Sequence, residues 1–316
     1  MTGNNQKRPI FVVGPTASGK SALAVQLALA LDGEIVSADS MQIYRGMQIG
    51  TAAPTPEEMQ GIPHHMVGVI DPSQSFSVGL YREMAKPIIS DILSRGKTPI
   101  VVGGTGLYFD ALLQNEEYAP VESDLRYRNE LTALAETQGN EAVHALLSER
   151  DPETAARLHP NNLKRVIRAL EVLELTGISI SEHDRRSQLA GKAFDPIWIG
   201  INVEPREKLY ERIDRRVDMM LCDGLLEEIR RLLASGLCAK TTAMQAIGYK
   251  EFLPVLQGVS REYDAAEEVK KRSRNYAKRQ LTWFRRNPEI HWVTYTESGA
   301  FEDVVASALT VVRKAL

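Results

Sequence analysis

The feature that most restricts how this chain can fold is a short apolar run, Pro9-Ile10-Phe11-Val12-Val13, that ends on Gly14-Pro15-Thr16-Ala17-Ser18-Gly19-Lys20-Ser21 and passes at once into an Ala- and Leu-rich segment. A continuous apolar run closed by Gly reads as a strand buried on both faces. The segment from Ser21 to Leu31 reads as a helix, with Gly33 as its C-terminal cap. Gly-x-x-x-x-Gly-Lys-Ser between strand and helix is the pattern of a phosphate-binding loop. Its glycines let the backbone wrap an anion with N–H groups turned inward, and the helix N-terminus adds partial positive charge. Lys20 offers a point charge to phosphate oxygens, and the Ser21 hydroxyl can sit on Mg²⁺.

The rest of the chain continues strand–helix alternation. Strands are expected at Glu34–Ser37, Thr98–Val102, Pro196–Val203 and His291–Tyr295, with a further one possible within His64–Ile70. Helices are expected at Val78–Arg95, Leu107–Leu113, Arg206–Ala234, Glu262–Arg286 and Phe301–Leu316. From Ser123 to His183 the apolar residues keep helical spacing and no strand pattern is convincing. The prediction is an α/β fold: a P-loop NTPase-like parallel sheet flanked by helices, with an all-helical insertion domain. The core would comprise residues 1–120 and 190–316, and the insertion residues 121–189.

Composition narrows the function classes. A net charge of −3 gives no overall pull toward nucleic acid, so any basic surface must be local. Two cysteines, Cys222 and Cys238, are too few for a disulfide scaffold and lack metal-ligand spacing. The N-terminal residues carry no apolar signal core, and no apolar run approaches the ~18 residues of a membrane helix. A cytoplasmic monomer without membrane attachment is expected.

The loop does not say which phosphate compound it holds. Nucleotide hydrolases and kinases usually add a second apolar strand ending in Asp, but here Ile100-Val101-Val102 ends in Gly103-Gly104. Asp39-Ser40-Met41-Gln42 follows a strand, where α/β sheets bind ligands. Asp39 there could hold Mg²⁺, take a proton from a nucleophile, or cap a short helix. Thr105 lies at a second strand end and could reach the same cleft or cap the next helix. Residues 270–286 carry eight cations and no acid, interleaved with Tyr276, Trp283 and Phe284. Together with Lys164-Arg165-Val166-Ile167-Arg168, they suit a phosphodiester backbone. Arg212, Arg215 and Arg216 form a third basic group. On the residues alone, a small-molecule kinase using ATP and a non-catalytic RNA-binding protein both stay open.

The motifs in combination resemble the tRNA dimethylallyltransferase (tRNA isopentenyltransferase) family. The likeness runs through Gly14–Ser21, Asp39-Ser-Met-Gln-Ile-Tyr-Arg-Gly46, Pro63-His-His65 and Gly103-Gly-Thr-Gly-Leu-Tyr108. It continues through Arg165-Val-Ile-Arg-Ala-Leu-Glu-Val172, Ala246-Ile-Gly-Tyr-Lys-Glu251 and Ala277-Lys-Arg-Gln-Leu-Thr-Trp-Phe-Arg285, and so covers nearly the whole chain. The resemblance implies transfer of a dimethylallyl group from dimethylallyl diphosphate to N6 of an adenosine at tRNA position 37, next to the anticodon, with Mg²⁺ assisting. It implies that Gly14, Pro15, Thr16, Ala17, Ser18, Gly19, Lys20 and Ser21 cradle the diphosphate, with Thr16 and Lys20 on its oxygens, Ser21 on the metal and Arg216 as a further contact. Asp39 would be the general base, within a tRNA-contacting stretch through Ser40, Met41 and Gln42. Thr105 and Arg128 would contact tRNA, as would Lys164, Arg165, Val166, Ile167 and Arg168. So would Gln245, Gly248, Tyr249, Lys250, Arg274, Lys278, Arg279 and Gln280. The helical insertion would grip the anticodon stem-loop. Ala53 stands where the family commonly has Lys, and Ser273-Arg274-Asn275-Tyr276 replaces the usual Thr-Arg-Gln-Tyr. No Cys/His spacing suggests the zinc finger of some relatives. His64 and His65 are expected to be structural.

Overall fold

The computed structural model describes residues 7–115, 125–296 and 299–315. Six strands form one sheet: β1 (Ile10–Val13), β2 (Gly33–Ser37), β3 (His64–His65), β4 (Thr98–Gly103), β5 (Ile197–Glu204) and β6 (His291–Thr296). Their order is β3-β2-β4-β1-β5-β6, and every pairing is parallel. The helices are α1 (Lys20–Leu31), α2 (Pro56–Met59), α3 (Val78–Ser94), α4 (Gly106–Leu113), α5 (Leu125–Gln138), α6 (Asn140–Arg150), α7 (Pro152–Arg157), α8 (Leu163–Thr176), α9 (Ile180–Leu189), α10 (Arg206–Cys222), α11 (Leu225–Ala234), α12 (Leu253–Leu256), α13 (Glu262–Phe284) and α14 (Phe301–Ala315). None of the described helices is long and apolar enough to cross a membrane.

β1 is central and buried throughout, as its unbroken apolar run requires. Alternate side chains serve the two faces. Ile10 and Val12 join Leu23, Leu27, Ile199, Val304 and Val312 beneath α1 and α14. Phe11 faces the other way, with edge-on rings of Phe109 at 5.3 Å and Trp198 at 4.9 Å. Phe109 in turn meets Phe284 of α13 at 5.8 Å. Aromatic packing of this kind adds about 0.5–1.5 kcal/mol per pair beyond area burial. It also draws the C-terminal part of α13 toward the end of β1, where the phosphate-binding pattern begins.

The chain forms two compact units, Met1–Leu112 with Phe194–Leu316, and Leu113–Ala193. The second starts earlier and ends later than the sequence suggests. Gln114 pairs with Lys192, and the Ala193 N–H donates to the Leu113 carbonyl, so the two connecting segments zip together within it. Its core packs Leu131, Val143, Leu147, Val166, Ile167 and Leu170. Local readings also shift. Asp32, not Gly33, takes the left-handed cap of α1 (φ 47°) and donates to the Ala28 carbonyl, freeing Gly33 to start β2. The single helix expected over 206–234 is two, broken at Asp223-Gly224. The possible strand over 64–70 shrinks to His64–His65.

Candidate active site

The loop from Gly14 to Gly19 leaves the carboxyl end of β1, between β4 and β5, and enters α1 at Lys20. Gly19 adopts φ 95°, a left-handed conformation that favours glycine, and it lets the chain turn straight into the helix. Lys20 Nζ folds back to donate to the Pro15 carbonyl at 3.2 Å. Burial lowers its pKa to about 8, opposed by the Asp39 carboxylate and reinforced by the Arg216 guanidinium. Those influences place Lys20, Asp39 and Arg216 in one electrostatic neighbourhood. Two arginines of α10 lie along the loop. Arg212 Nε donates to the Ala17 carbonyl at 2.9 Å, its guanidinium 5.1 Å from the Tyr295 ring centre. Arg216 Nη1 donates to Thr16 Oγ1 at 3.4 Å. Burial pulls the Arg216 pKa down, with Asp39 and Glu58 opposing. A group with so high a starting pKa stays charged at neutral pH. Ser18 Oγ is buried without a hydrogen-bond partner.

A cavity of about 970 Å³ opens on this loop, bordered by Lys20, Ser21, Ala52, Arg215, Arg216 and Met219. It holds cationic and apolar walls together, which suits a phosphorylated hydrocarbon. Among the described residues no group of three or more His, Cys, Asp or Glu side chains could hold a metal ion.

Asp39 lies just past β2. Its Oδ1 accepts the backbone N–H of Met41 at 2.9 Å and of Gln42 at 3.3 Å. It therefore caps a turn rather than a short helix, and this employs one oxygen and leaves Oδ2 for a ligand. Thr105, at the end of β4, accepts the Ser40 N–H at 3.2 Å and donates to Ser40 Oγ at 3.4 Å. The Thr105 hydroxyl thus steadies the Asp39 turn rather than capping α4. Gln42 bonds Ser37 Oγ and the Thr51 and Ala52 carbonyls. Around the carboxylate stand phenols of Tyr108 and Tyr276. Burial and the Asp39 charge raise both, Tyr276 to about 12.

The structure separates the expected RNA-contacting residues. Lys164, Arg165, Gln245, Lys278 and Arg279 are exposed, and Lys250 is partly exposed. Val166 and Ile167 are not RNA-facing, because the amphipathic face of α8 puts them in the helical core. Arg128 and Arg168 both pair with Glu171, whose side chain is fully buried, so they neutralise an interior charge. Arg274 pairs with Asp214. Tyr249 is buried and donates to Glu228 Oε1 at 2.6 Å. Gly248 is buried beside it and donates its N–H to Glu251. Gln280, only 4% exposed, faces the phosphate loop and not the surface. His65 pairs with Glu34 at 2.9 Å and His64 Nδ1 with the Ile62 carbonyl at 2.8 Å.

Sequence reasoning missed Glu228. Its buried carboxylate accepts the successive N–H groups of Gln48, Ile49 and Gly50 at 2.9, 2.8 and 3.1 Å. It thereby fixes the segment that forms one wall of the cavity. Nothing local marks it, since α11 reads as an ordinary amphipathic helix with Glu in its first turn.

The comparisons with known proteins meet this geometry. The IPP transferase model matches residues 42–287, and the isopentenyl transferase model residues 9–69. The chain belongs to the tRNA dimethylallyltransferase (IPP transferase) family. It is 50% identical over 300 residues to tRNA dimethylallyltransferase 1 of Pelobacter propionicus, covering 95% of this chain and 96% of that one. It is 47% identical over 296 residues to the tRNA dimethylallyltransferase of Caldanaerobacter subterraneus subsp. tengcongensis, covering 93% and 94%. Among solved structures, the tRNA isopentenylpyrophosphate transferase of Bacillus halodurans matches with TM-score 0.71 and 41% identity, over 98% of this chain and 97% of that one. A eukaryotic dimethylallyltransferase acting on tRNA matches with TM-score 0.83 and 32% identity, over 98% and 80%.

Proposed function

We propose that this chain transfers a dimethylallyl group from dimethylallyl diphosphate to N6 of the adenosine at tRNA position 37 and releases diphosphate. The observation that carries the reading is a phosphate loop on which Lys20 and Arg216 converge, opening on a cavity with both cationic and apolar walls. A diphosphate lies against the loop amides, Lys20 and Arg216. As the allylic C–O bond breaks, its electron pair goes to the diphosphate, and these fixed donors stabilise the growing charge. The adenine amine forms the new C–N bond, and its proton passes to the free oxygen of Asp39. The aromatic rings of Tyr108 and Tyr276 border that end.

Mg²⁺ fits the donor set through the Ser21 hydroxyl, since this ion binds through few protein ligands and keeps phosphate oxygens and waters for the rest. When bound it supplies further charge neutralisation to the leaving diphosphate. The acceptor base must leave its stack to reach Asp39, which suits a loop nucleotide. Lys278 and Arg279 on α13, and Lys164 and Arg165 on α8, supply cations for the RNA backbone. The protein acts as a cytoplasmic monomer. Incubation with isotope-labelled dimethylallyl diphosphate and unmodified tRNA tests the reading. Label in tRNA with stoichiometric diphosphate release is expected. No label, with ATP turnover on a small acceptor, would overturn it.

A further inference from the structure

One interior side chain of α13 touches the phosphate loop by a route that the loop pattern does not contain. Gln280 Oε1 accepts the Thr16 backbone N–H at 2.8 Å, and its Nε2 donates to the Gly104 carbonyl at 3.0 Å. The two partners fix the amide orientation, because the loop offers a donor and β4 offers an acceptor. Only a side chain with both functions at this length satisfies both. The fit is tight, for a Cβ on Gly104 would collide with the Gln280 amide.

The peptide that Gln280 holds is the one that parks Lys20. Thr16 N–H and the Pro15 carbonyl belong to the same planar trans unit and point to opposite sides. Gln280 grips one side, and Lys20 Nζ rests on the other at 3.2 Å. Turning this peptide would move the carbonyl away from Lys20 and the loop amides away from their anion. On its other side Gln280 holds the Gly104 carbonyl, in the residue just before Thr105. Thr105 in turn accepts the Ser40 N–H beside Asp39. One amide therefore stands between the parked cation and the turn that carries the carboxylate.

We propose that Gln280 is a positioning residue, which sets Lys20 through the Pro15–Thr16 peptide and keeps it in register with Asp39. This rests on the prenyl-transfer reading for its kinetic consequence, but its effect on anion binding does not. Gln280→Met keeps the length and removes both bonds. Gln280→Glu keeps one acceptor and sets a carboxylate oxygen against the Gly104 carbonyl. A protonated Glu restores a donor and an acceptor, so this variant should recover as pH falls.

The test compares wild type, Gln280→Met and Gln280→Glu in binding of inorganic diphosphate with Mg²⁺ by calorimetry, and in transfer from dimethylallyl diphosphate to tRNA. Expected for Gln280→Met are diphosphate binding at least tenfold weaker and kcat at least tenfold lower, with tRNA affinity within twofold. For Gln280→Glu, both defects should shrink on acidification at constant melting temperature. Diphosphate binding and kcat within twofold of wild type in folded Gln280→Met would overturn the proposal. If that variant does not fold, Gln280→Glu decides, and a pH-independent defect or none would overturn it. A wild type that binds diphosphate but modifies no tRNA would sink the functional reading, and the binding comparison would still judge Gln280.

Discussion

The phosphate end and the carboxylate end of the cleft are built by different means. The phosphate end is a backbone loop, to which Lys20, Arg216 and Gln280 add side chains. Residues 14–21 are consecutive, they follow one buried strand, and the helix that they open supplies the field for an anion. The carboxylate end is almost all side chain. Asp39 is held by its own turn, the turn by Thr105, and the strand end that carries Thr105 by Gln280 from a distant helix. A backbone cradle survives most substitutions, because each amide remains whatever the side chain. A side-chain network loses its function with a single atom.

The largest effect should come from the carboxylate end. Asp39→Ala is expected to lower kcat about 10²–10⁴-fold, the usual contribution of a general base, with tRNA and diphosphate affinities within a few-fold. Steady-state kinetics and separate binding titrations check this. Collapse of diphosphate binding in that variant would erase the distinction between the two ends. Next is Lys20→Ala, expected to cost about 10²–10³-fold in transfer, as for loss of one donor to a developing anion. Here diphosphate binding should weaken too, where Asp39→Ala leaves it intact.

Glu228→Ala sharpens the comparison from the side. It strips the acceptor from three backbone N–H groups and a buried phenol, so a stability loss on the order of 1–3 kcal/mol or more is expected, read by denaturant titration. The pH response has a definite sign. Lys20 loses its proton as pH rises through about 8 in the free protein. Because the bound anion favours the charged form, diphosphate affinity should fall above that pH, by at most about tenfold per unit. Lys20→Arg should abolish this trend, as measured by calorimetry from pH 7 to 9. The smallest effect is expected for Lys278→Ala or Arg279→Ala. Each should weaken tRNA binding a few-fold and reduce the salt slope by about one, with transfer at saturating tRNA unchanged.

Legibility followed the same division. The strand, loop and helix from Ile10 to Leu31 could be read because their signals are local: an apolar run, fixed glycine spacing and helical propensity. The basic stretches could not be sorted from the sequence, for a physical reason. A cation in a sequence does not say whether its partner is a phosphate or a carboxylate folded in from elsewhere. Arg128 and Arg168 meet Glu171, and Arg274 meets Asp214, while Lys278 and Arg279 stay exposed. Gln280 looked like one more polar residue on a basic helix. Its burial follows from the packing of Phe284, Phe109 and Phe11, which turns that face of α13 toward β1.

The sequence by itself determined the parallel α/β sheet, the helical insertion, the anion-binding loop and the family, since each rests on contiguous pattern. Only the tertiary structure decided which charges face solvent, that Asp39 keeps one oxygen free, that Glu228 braces the cavity wall and that Gln280 holds the loop. Those outcomes depend on residues far apart in the chain being packed to within hydrogen-bond distance. Hydrogen bonds and desolvation act over a few ångströms in space, and position along the chain does not encode that.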